Sequence, residues 1–520
     1  MSRPKWACRG ASHRRPTTEQ PPPWRRPRAC YPSAGMRAPL ATVVTLLALW
    51  SCGGEPSSNL EPQIPLEPCR LSGFGRLAEC GEVKVFENRD TKMGRKIALR
   101  VVRLPARGSS AQPDPLFLLA GGPGQAASEA FVPMLGLFGD IGLQRDLVMV
   151  DQRGSGSSAP LDCAVPDELA EQFRDGGLAR IATRCRAGLT ADPDQYTTPI
   201  SADDLDDVRA ALGYNQINLY GASYGTRLAL VYAARHARQV RSLILDGVAP
   251  PDMMLPLSFA GDGQRALDLI LDRCEANESC RRAFPKLATT LAELLERLAA
   301  KPAQISLRHP TTGEPLSFEL THKAFTQAIR NIMYSSELVA LLPLTISQAA
   351  QGDFSGFVAL VALFADSAQE GMSLGLTLSV LCREDVGLIS DAQIAEHTAH
   401  TFLGRSIVDD FREACEAWRV VGAPEGVADP VHSEAPTLAL SGEMDPATPP
   451  RWADRALQHL PKGRHVVVPM MGHGVAIRGC VPRLLQELLE TPTALKSMDV
   501  SCAADIQAPQ FFIDAAGPAH

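Results

Sequence analysis

The sequence predicts an α/β fold in which a mostly parallel sheet is flanked by helices and interrupted by a mostly helical insertion. Short, almost wholly apolar runs end in glycine-rich or polar turns, as expected of strands buried on both faces of a parallel sheet. Helical stretches alternate with several of these runs. A long segment rich in leucine and alanine then separates the early strand signals from the late ones.

Five strand-like runs and two helices define the first part of the predicted sheet. The strands are predicted at 97–102, 116–119, 146–150, 217–220 and 242–245, and the helices at 203–212 and 226–235. Each of the two helices directly precedes a strand, which is the alternation of an open α/β sheet.

Beyond Pro250 the pattern changes to that of a helical cap. Leucines recur at helical spacing over 287–298, a hairpin is predicted over 304–320, and further helices run to about residue 417. Strand signals return at 437–440 and 465–468, and a helix follows at 481–489. Because the sheet resumes after the helical block, we interpret this block as an insertion into a single core.

These patterns set the predicted domain boundaries. Residues 1–51 form an upstream extension and a signal peptide, 52–84 a tether and N-terminal segment, 85–250 the first part of the core, 251–430 the cap, 431–505 the second part of the core, and 506–520 a tail.

The composition excludes several classes of protein. A chain of 520 residues with 45% hydrophobic and 21% charged content is neither disordered, nor collagen-like, nor a multi-pass membrane protein. Residues 1–51 carry nine Lys or Arg and one Glu, so the rest of the chain has a net charge of −15 within a total of −7. A body this acidic repels phosphate backbones, and we predict no nucleic-acid partner.

The start of the chain has the pattern of a targeting signal. Arg37 precedes an uncharged run, 38–50, that is too short to span a bilayer and is followed by small residues. Leu-Trp-Ser-Cys at 49–52 resembles the bacterial lipobox, whose cysteine is lipidated. We therefore predict an exported lipoprotein held at the membrane through Cys52, on the periplasmic or cell-surface side, or otherwise a secreted protein. An ordinary buried helix at 38–50 is the alternative.

Cysteine usage agrees with an oxidising compartment. Apart from Cys8, Cys30 and Cys52, ten cysteines fall into five neighbouring pairs, and short loops favour closure within each pair. The predicted disulfides are Cys69–Cys80, Cys163–Cys185, Cys274–Cys280, Cys382–Cys415 and Cys480–Cys502. The chain has no Cys-x-x-Cys motif, and we predict neither a metal nor a cofactor.

One serine lies in the strand–turn–helix setting of a nucleophile elbow. The run 217–220 leads into Gly-Ala-Ser-Tyr-Gly at 221–225 and then a helix, and the glycines permit the strained turn that raises the serine hydroxyl above the sheet. Ser223 is therefore the predicted nucleophile. Ser373 has the same glycine spacing, but no strand leads into it, so it is the weaker candidate.

A serine hydroxyl needs a histidine to take its proton and an acid to orient that histidine. His473 follows the predicted strand 465–468 within a Gly-His-Gly turn, and Asp445 follows the strand 437–440. The chain order Ser, Asp, His is the one expected on this type of fold. Asp246 and Glu443 are alternative acids, and His465 is interpreted as structural.

Two backbone amides are predicted to stabilise the oxyanion. One belongs to Tyr224, directly after the nucleophile, and the other to Gly122 in the turn that follows the strand 116–119. Glycines let backbone amides approach a reacting carbonyl closely. A plain Gly-Pro turn is the alternative interpretation.

Five motifs in order resemble those of the proline iminopeptidase and tripeptidyl aminopeptidase family of α/β-hydrolases. They are Gly-Gly-Pro-Gly at 121–124, Asp-Gln-Arg-Gly-Ser-Gly-Ser at 151–157, the elbow at 221–226, Ser-Gly-Glu-Met-Asp-Pro-Ala-Thr-Pro at 441–449, and Gly-His-Gly at 472–474. The resemblance runs from about residue 85 to 505, and its second half, with Cys480 and Cys502, is similar to the C-terminal module of the secreted tripeptidyl aminopeptidases. Ala120 stands where the iminopeptidase pattern has His, so strict specificity for an N-terminal proline is not expected.

The resemblance implies a serine exopeptidase that cleaves peptides from the N-terminus through an acyl-enzyme. A serine esterase or lipase of the same fold is the alternative. A catalytically inactive binding lipoprotein is a third reading, and the complete set of Ser223, Asp445 and His473 argues against it. The sequence does not indicate an oligomeric state.

Recognition of a free N-terminus requires a group that binds the α-ammonium. Iminopeptidase relatives are understood to use cap glutamates, and on that basis Glu384 and Asp385 are predicted to bind the substrate amine. The alternative is that both carboxylates form a solvated face or pair locally with Arg383.

Overall fold

The computed structural model describes residues 64–163, 177–368 and 371–518. The predicted signal peptide, Cys52 and most of the predicted tether lie outside these ranges.

A nine-stranded sheet forms the core and confirms the predicted fold class. Its strand order is β1-β2-β3-β5-β4-β6-β7-β10-β11. Pairing is antiparallel from β1 to β5 and parallel from β5 to β11. The strands of the chain are β1 Glu67–Arg70, β2 Leu77–Phe86, β3 Lys96–Leu104, β4 Leu116–Leu119, β5 Leu147–Val150, β6 Ile217–Ala222, β7 Val240–Asp246, β8 Ala303–Arg308, β9 Pro315–Leu320, β10 Thr437–Gly442, β11 Gly463–Val468, β12 Phe512–Asp514 and β13 Gly517–Pro518.

Helices are distributed along the described part of the chain as follows. The α-helices are α1 Ala127–Ala130, α2 Ile141–Gln144, α3 Gly177–Gly188, α4 Thr198–Ala211, α5 Tyr224–Arg235, α6 Phe259–Ala276, α7 Glu278–Ala283, α8 Leu287–Ala300, α9 His322–Ile332, α10 Ser336–Val339, α11 Leu342–Ala350, α12 Ser355–Ala368, α13 Leu374–Glu384, α14 Asp391–Thr398, α15 Ser406–Trp418, α16 Pro450–Leu457 and α17 Val481–Glu490. Short 3-10 helices lie at Val132–Met134, Pro193–Gln195, Ala237–Gln239, Val386–Leu388, Pro492–Ser497 and Ser501–Asp505.

Both faces of the sheet are buried, as the apolar runs predict. In β4, Leu116 and Leu118 belong to a core cluster that includes residues of α17, whereas Phe117 and Leu119 belong to a second cluster that includes residues of α4 and α5. Successive side chains of a strand point to opposite faces, so a strand covered on both sides has no polar alternation.

The sheet begins earlier than predicted. Strand β1 and all but the last two residues of β2 lie within the segment 52–84 that was expected to precede the core, and Cys69 and Cys80 join the two strands through a disulfide. Buried and exposed residues alternate along β2, so its pattern is weaker than that of the fully apolar central strands. The first part of the core therefore extends back to Glu67.

The residues between β7 and β10 form helices α6–α15 and the hairpin β8–β9, and we refer to this insertion as the cap. Because β7 and β10 are parallel neighbours, the cap leaves and re-enters the sheet at adjacent strands. It has a core of its own, which includes Leu291, Phe325 and Phe357. All five predicted disulfides are present, with Cys274–Cys280 and Cys382–Cys415 lying in the cap.

The segment predicted as a tail instead packs against the cap. Phe511 is buried in the apolar core of the cap, and the guanidinium of Arg273 lies 4.4 Å from its ring centre. The amide of Phe512 donates a hydrogen bond of 2.9 Å to the carbonyl of Ala340. The hydrophobic pair Phe511–Phe512 is the sequence signal that indicates burial here.

None of the helices in the described ranges combines the length and the apolar character that crossing a bilayer requires.

Candidate active site

Ser223 occupies the sharp turn between β6 and α5. Its backbone has φ 54° and ψ −123°, a conformation that non-glycine residues adopt at a cost. A Cβ on Gly225 would stand 2.2 Å from the carbonyl oxygen of Leu119, so only glycine lets α5 start this close to β4. The elbow expected from the sequence is therefore formed in the backbone.

The predicted acid and base are in direct contact. Nδ1 of His473 donates to Oδ2 of Asp445 at 2.7 Å. Asp445 is fully buried and the side chain of His473 is 15% exposed. With Nδ1 occupied as a donor, Nε2 is left as the proton acceptor of the neutral ring.

The contact shifts the pKa values of both groups. Burial opposes ionisation of Asp445, but the charge of His473 and the hydrogen bonds that the carboxylate accepts outweigh it and lower its pKa. Burial would lower the pKa of His473, but the charge and hydrogen bond of Asp445 outweigh it and raise that pKa above its ordinary value of 6.5. The pair is thus arranged to stabilise an imidazolium.

Thr448 completes the environment of the acid and had no role assigned from the sequence. Its hydroxyl donates to Oδ2 of Asp445 at 2.8 Å and lies 3.1 Å from Nδ1 of His473. The amides of Ala447 and Thr448 donate to Oδ1 of Asp445 at 2.8 and 2.9 Å. The Asp-Pro-Ala-Thr spacing is the signal that could have revealed this turn, because an aspartate often accepts from the amides two and three residues on.

Asp246, the first alternative acid, anchors the nucleophile and the histidine loop instead. Its carbonyl accepts from the amide of Ser223 at 2.8 Å, and its carboxylate accepts from the amides of Val475 and Ala476 at 2.9 Å. The ring of His473 reaches within 3.1 Å of the position that a Cβ on Gly247 would occupy. Ser223 and His473 therefore both lie next to Asp246 and Gly247, at the end of β7.

The Ser223 hydroxyl makes no hydrogen bond to His473 within the described residues. Such bonds are commonly long before substrate binds, so the geometry is compatible with general-base catalysis. Glu443, the second alternative acid, is engaged elsewhere, since its carboxylate accepts from the amide of Met470 at 2.9 Å.

The two predicted oxyanion donors lie at the start of α5 and in the loop after β4. Gly122 is exposed and has φ 105°, a value suited to glycine. Neither its amide nor that of Tyr224 has a hydrogen-bond acceptor within the described part of the chain. A Cβ on Gly121 would stand 3.1 Å from Cβ of Ser223, which places this loop against the nucleophile.

The cap holds the oxyanion loop in place. The amide of Ser373 donates to the carbonyl of Gly124 at 2.9 Å, and the amide of Ala126 donates to the carbonyl of Gly371 at 3.1 Å. The hydroxyl of Thr377 donates to the carbonyl of Pro123. Ser373 itself is buried and its hydroxyl accepts from the amide of Leu376 at the start of α13, which is a helix-capping role and not that of a nucleophile.

The cap also touches the base. The amide of His473 donates to the carbonyl of Tyr334 at 3.0 Å, and the Tyr334 ring lies edge-on to the imidazole with 4.9 Å between ring centres. Tyr334 follows α9. Ser336, at the start of α10, also contacts the histidine loop, because its hydroxyl accepts from the amide of Gly472 at 2.9 Å. The cap therefore contacts both the histidine and the loop that carries it.

The structure assigns Glu384 and Asp385 a different role from the predicted one. Glu384 is 3% exposed and accepts from the amide and hydroxyl of Thr198 at 2.5 and 2.7 Å. Asp385 is fully buried and forms an ion pair of 2.8 Å with Arg227 on α5. Both carboxylates are therefore already bonded to protein groups. The expectation that Glu384 and Asp385 bind a substrate ammonium is corrected, because these residues join the cap to the core.

A second Ser–His–Asp chain of hydrogen bonds lies under the sheet edge. Nε2 of His465 is 2.9 Å from the hydroxyl of Ser441, and its Nδ1 is 2.8 Å from Asp454. Ser441 is fully buried within β10, so no substrate carbonyl can reach it. His465 is structural, in agreement with its interpretation from the sequence.

Within the described residues, no group of three or more His, Cys, Asp or Glu side chains is arranged to hold a metal ion.

The fold and this site define the class to which the protein belongs. Residues 114–479 match the family described as alpha/beta hydrolase fold, and the chain is a member of this family.

Three curated relatives are serine or N-terminal peptidases by name. Over 454 residues the chain is 26% identical to the serine protease Hip1 of Mycobacterium tuberculosis, covering 79% of this chain and 86% of that protein. It is 31% identical over 191 residues to a tripeptidyl aminopeptidase of Streptomyces coelicolor, covering 33% and 35% of the two chains. It is 30% identical over 141 residues to a proline iminopeptidase of Neisseria meningitidis, covering 27% and 34%. These similarities confirm the predicted family resemblance.

Proposed function

We propose that the protein is an exported serine exopeptidase that cleaves peptides from their N-termini. The observation that carries the proposal is the Asp445–His473 pair, which is joined at 2.7 Å and lies beside the serine of a strained elbow. The relatives named as a serine protease, a tripeptidyl aminopeptidase and a proline iminopeptidase support a peptide as the substrate.

In the proposed reaction, His473 takes the proton of Ser223 as the hydroxyl attacks the scissile carbonyl. Asp445 stabilises the imidazolium, and the amides of Tyr224 and Gly122 donate to the oxyanion. The imidazolium then protonates the leaving amine, and the acyl-enzyme is hydrolysed by water with His473 again acting as base. The raised pKa of His473 favours the charged intermediate of both steps.

Export and membrane anchoring are part of the proposal. Five disulfides are typical of proteins that fold in an oxidising compartment. The lipobox-like sequence at 49–52 supports lipid attachment at Cys52, which lies outside the described residues. Cys52→Ser should release a soluble, active enzyme, and mass spectrometry of the mature N-terminus with membrane fractionation tests this step.

The decisive experiment compares peptide and ester substrates on one enzyme. Aminoacyl and tripeptidyl amides, the same compounds with acetylated N-termini, and short-chain esters should be assayed with wild type and Ser223→Ala. We expect cleavage of free-amine substrates that is lost in Ser223→Ala and retained in Ser373→Ala, the matched serine of the second Gly-x-Ser-x-Gly sequence. Ester hydrolysis without amide hydrolysis would favour the esterase alternative, and equal cleavage of acetylated peptides would exclude an aminopeptidase.

A further inference from the structure

A cavity of about 910 Å³ lies beside the reaction centre and has no role in the chemistry described above. Its walls come from the end of β1, from β3, from the loop and helix after β4, and from Gly371 of the cap. The polar residues among its lining are Arg70, Ser72, Arg100, Gln125, Ser128, Glu129 and Ser157. This volume is in the range of pockets that hold a drug-sized ligand or a short peptide segment.

The cavity reaches the nucleophile through Gln125. Oε1 of Gln125 and Cβ of Ser223 each lie 3.1 Å from the position that a Cβ on Gly121 would occupy, so these two atoms are within about 6 Å of each other. An extended peptide advances about 3.3 Å per residue. A peptide whose carbonyl lies on Ser223 therefore enters the cavity within about two residues of the scissile bond.

Two arginines give the cavity positive charge that no protein carboxylate neutralises by direct contact. Arg70 is exposed and Arg100 is half-buried, and within the described residues neither lies within ion-pair distance of a carboxylate. The guanidinium of Arg100 donates a hydrogen bond of 3.5 Å to Sγ of Cys80, which is a weak acceptor. A partly desolvated guanidinium in this state retains donors for a ligand.

In the described part of the chain no nearby acidic group forms an ion pair with the two arginines, although the charge of Arg100 acts on Asp151 through space. Asp151, behind the wall, accepts from the amide and hydroxyl of Ser128 at 2.8 and 2.9 Å and from the amide of Ser157 at 3.3 Å. Glu129 lines the cavity, and its Oε2 lies against the backbone of Gly371, 2.3 Å from where a Cβ on that glycine would stand. The guanidinium N–H groups of the two arginines are therefore the charged donors that the cavity offers to a ligand.

We propose that this cavity is a substrate subsite in which Arg100 and Arg70 bind a carboxylate of the peptide. The inference rests on the proposed peptidase function and adds its substrate class, namely peptides that carry a carboxylate within a few residues of the scissile bond. That carboxylate belongs either to an acidic side chain or to the C-terminus of a short peptide. Guanidinium groups recognise either one through paired N–H donors.

The test uses matched peptides and matched variants of the full chain. Free-amine peptides are made in pairs that differ by Glu against Gln at one position on either side of the scissile bond, and each is made with a free or an amidated C-terminus. Wild type, Arg70→Gln, Arg100→Gln and the double variant are compared with Arg76→Gln. Arg76 is a matched control because it is exposed, lies against the ring of Phe74 and does not line the cavity.

We expect wild type and Arg76→Gln to favour the carboxylate-bearing member of a pair by about tenfold in kcat/KM. The double variant should lose this preference. It should still cleave the neutral amidated peptide within about twofold of the wild-type kcat/KM. The position of the effective Glu, or dependence on a free C-terminus, distinguishes the two sources of the carboxylate. Absence of a preference in wild type, or its persistence in the double variant, would overturn the proposal.

Binding measured without turnover separates this inference from the function on which it rests. Fluorescent versions of the same peptides are titrated against Ser223→Ala with and without the two arginine substitutions. Tighter binding of carboxylate-bearing peptides that disappears with the arginines supports the subsite even if wild type cleaves no peptide, an outcome that would reject the peptidase. Cleavage of neutral peptides with charge-independent binding would keep the peptidase and reject the subsite.

Discussion

At the scale of single residues, the histidine is fixed from three directions. Nδ1 of His473 contacts Asp445 and Thr448, its amide is bonded to the carbonyl of Tyr334, and its ring lies against that of Tyr334. These contacts set both the tautomer and the orientation of the ring, so Nε2 is available to Ser223 without a search among rotamers.

Substitution of the reacting residues should remove activity and leave the fold intact. We expect Ser223→Ala and His473→Ala each to lower kcat/KM by about a thousandfold or more, because members of a catalytic triad act as a unit. A fluorophosphonate probe followed by peptide mapping should label Ser223 alone. Ser441 is an internal control, since it has a histidine partner at 2.9 Å but is fully buried. Labelling at Ser441 or Ser373 would contradict the assignment.

The pH dependence of the reaction should report the Asp445–His473 pair. His473 acts as a base when neutral, and because Asp445 raises its pKa, kcat/KM should rise with pH through an apparent pKa above 6.5. In Asp445→Asn the charge is removed while burial remains, so the acid limb of the residual activity should move to lower pH. pH–rate profiles of both proteins provide the measurement, and an unchanged limb in Asp445→Asn would assign the titration to another group.

At the scale of secondary-structure elements, the oxyanion loop is supported from the cap. Residues 371–373 lead into α13, and together with Thr377 in the first turn of this helix they form hydrogen bonds with the loop at Pro123, Gly124 and Ala126. The donor amide of Gly122 therefore depends for its position on an element that is far away in sequence.

Thr377→Val should act on the chemical step. The loss of its hydrogen bond to Pro123 loosens the loop without touching the substrate, so we expect kcat to fall by about tenfold with little change in KM, and Thr377→Ser to restore it. Thr183→Val is the control, because it removes a helix threonine hydroxyl that donates to the carbonyl of Ala179 on the exposed face of α3. A change in KM alone would indicate substrate contact instead of loop support.

The sequence predicts the central strands of the sheet well, but it does not predict which distant residues the buried polar side chains contact. The runs at 116–119 and 217–220 are recognisable because strands buried on both faces must be apolar throughout. The roles of Glu384 and Asp385 cannot be recognised in this way, because their partners, Thr198 and Arg227, lie 186 and 158 residues away in the chain. Acidic residues next to each other in a sequence look solvated until such distant partners are known.

The same limit applies to the anchoring role of Asp246. A buried aspartate at a strand end is equally compatible with catalysis and with hydrogen bonds to a loop, and the loop that it holds begins at Val475, 229 residues further on. Thr448, by contrast, lies three residues from Asp445, so its contact with the acid belongs to the local pattern that sequence can reveal.

At the scale of the whole molecule, a buried cluster of charged and polar groups joins the cap to the core. Arg227 of α5 pairs with Asp385, and Glu384 bonds to Thr198 at the start of α4. Burial raises the pKa of Glu384 to about 7, although Arg227 and the hydrogen bonds of Thr198 oppose this. The hydroxyl of Thr198 also lies 2.7 Å from that of Tyr224, next to the nucleophile.

This pKa predicts how stability depends on pH. The folded protein holds the Glu384 proton more tightly than the unfolded chain, whose glutamate titrates near 4.5, so this stabilising contribution is complete below about pH 4.5 and is lost as pH rises towards about 7. In Glu384→Gln, the decline of the melting temperature over this interval should be smaller than in wild type.

Glu337→Gln is the control of opposite sign. Its hydrogen bond with Arg478 lowers the pKa of Glu337, so the stability that this carboxylate provides is present at neutral pH and is lost as pH falls below about 4.5. Thermal melts of the three proteins between about pH 3 and 8 cover both intervals and provide the comparison. Parallel curves for wild type and Glu384→Gln would show that Glu384 does not titrate in this interval.

The cap is bonded to both loops of the candidate active site, and this limits the size of the substrates that the enzyme can admit. One attachment holds the histidine loop through Tyr334 and Ser336, and the other holds the oxyanion loop through Gly124 and Thr377. If the cap moved away to admit a large substrate, these hydrogen bonds would break. The histidine loop and the oxyanion loop would then lose the support that holds them in position for catalysis. We therefore expect intact folded proteins, including other copies of this enzyme, to be poorer substrates than short peptides.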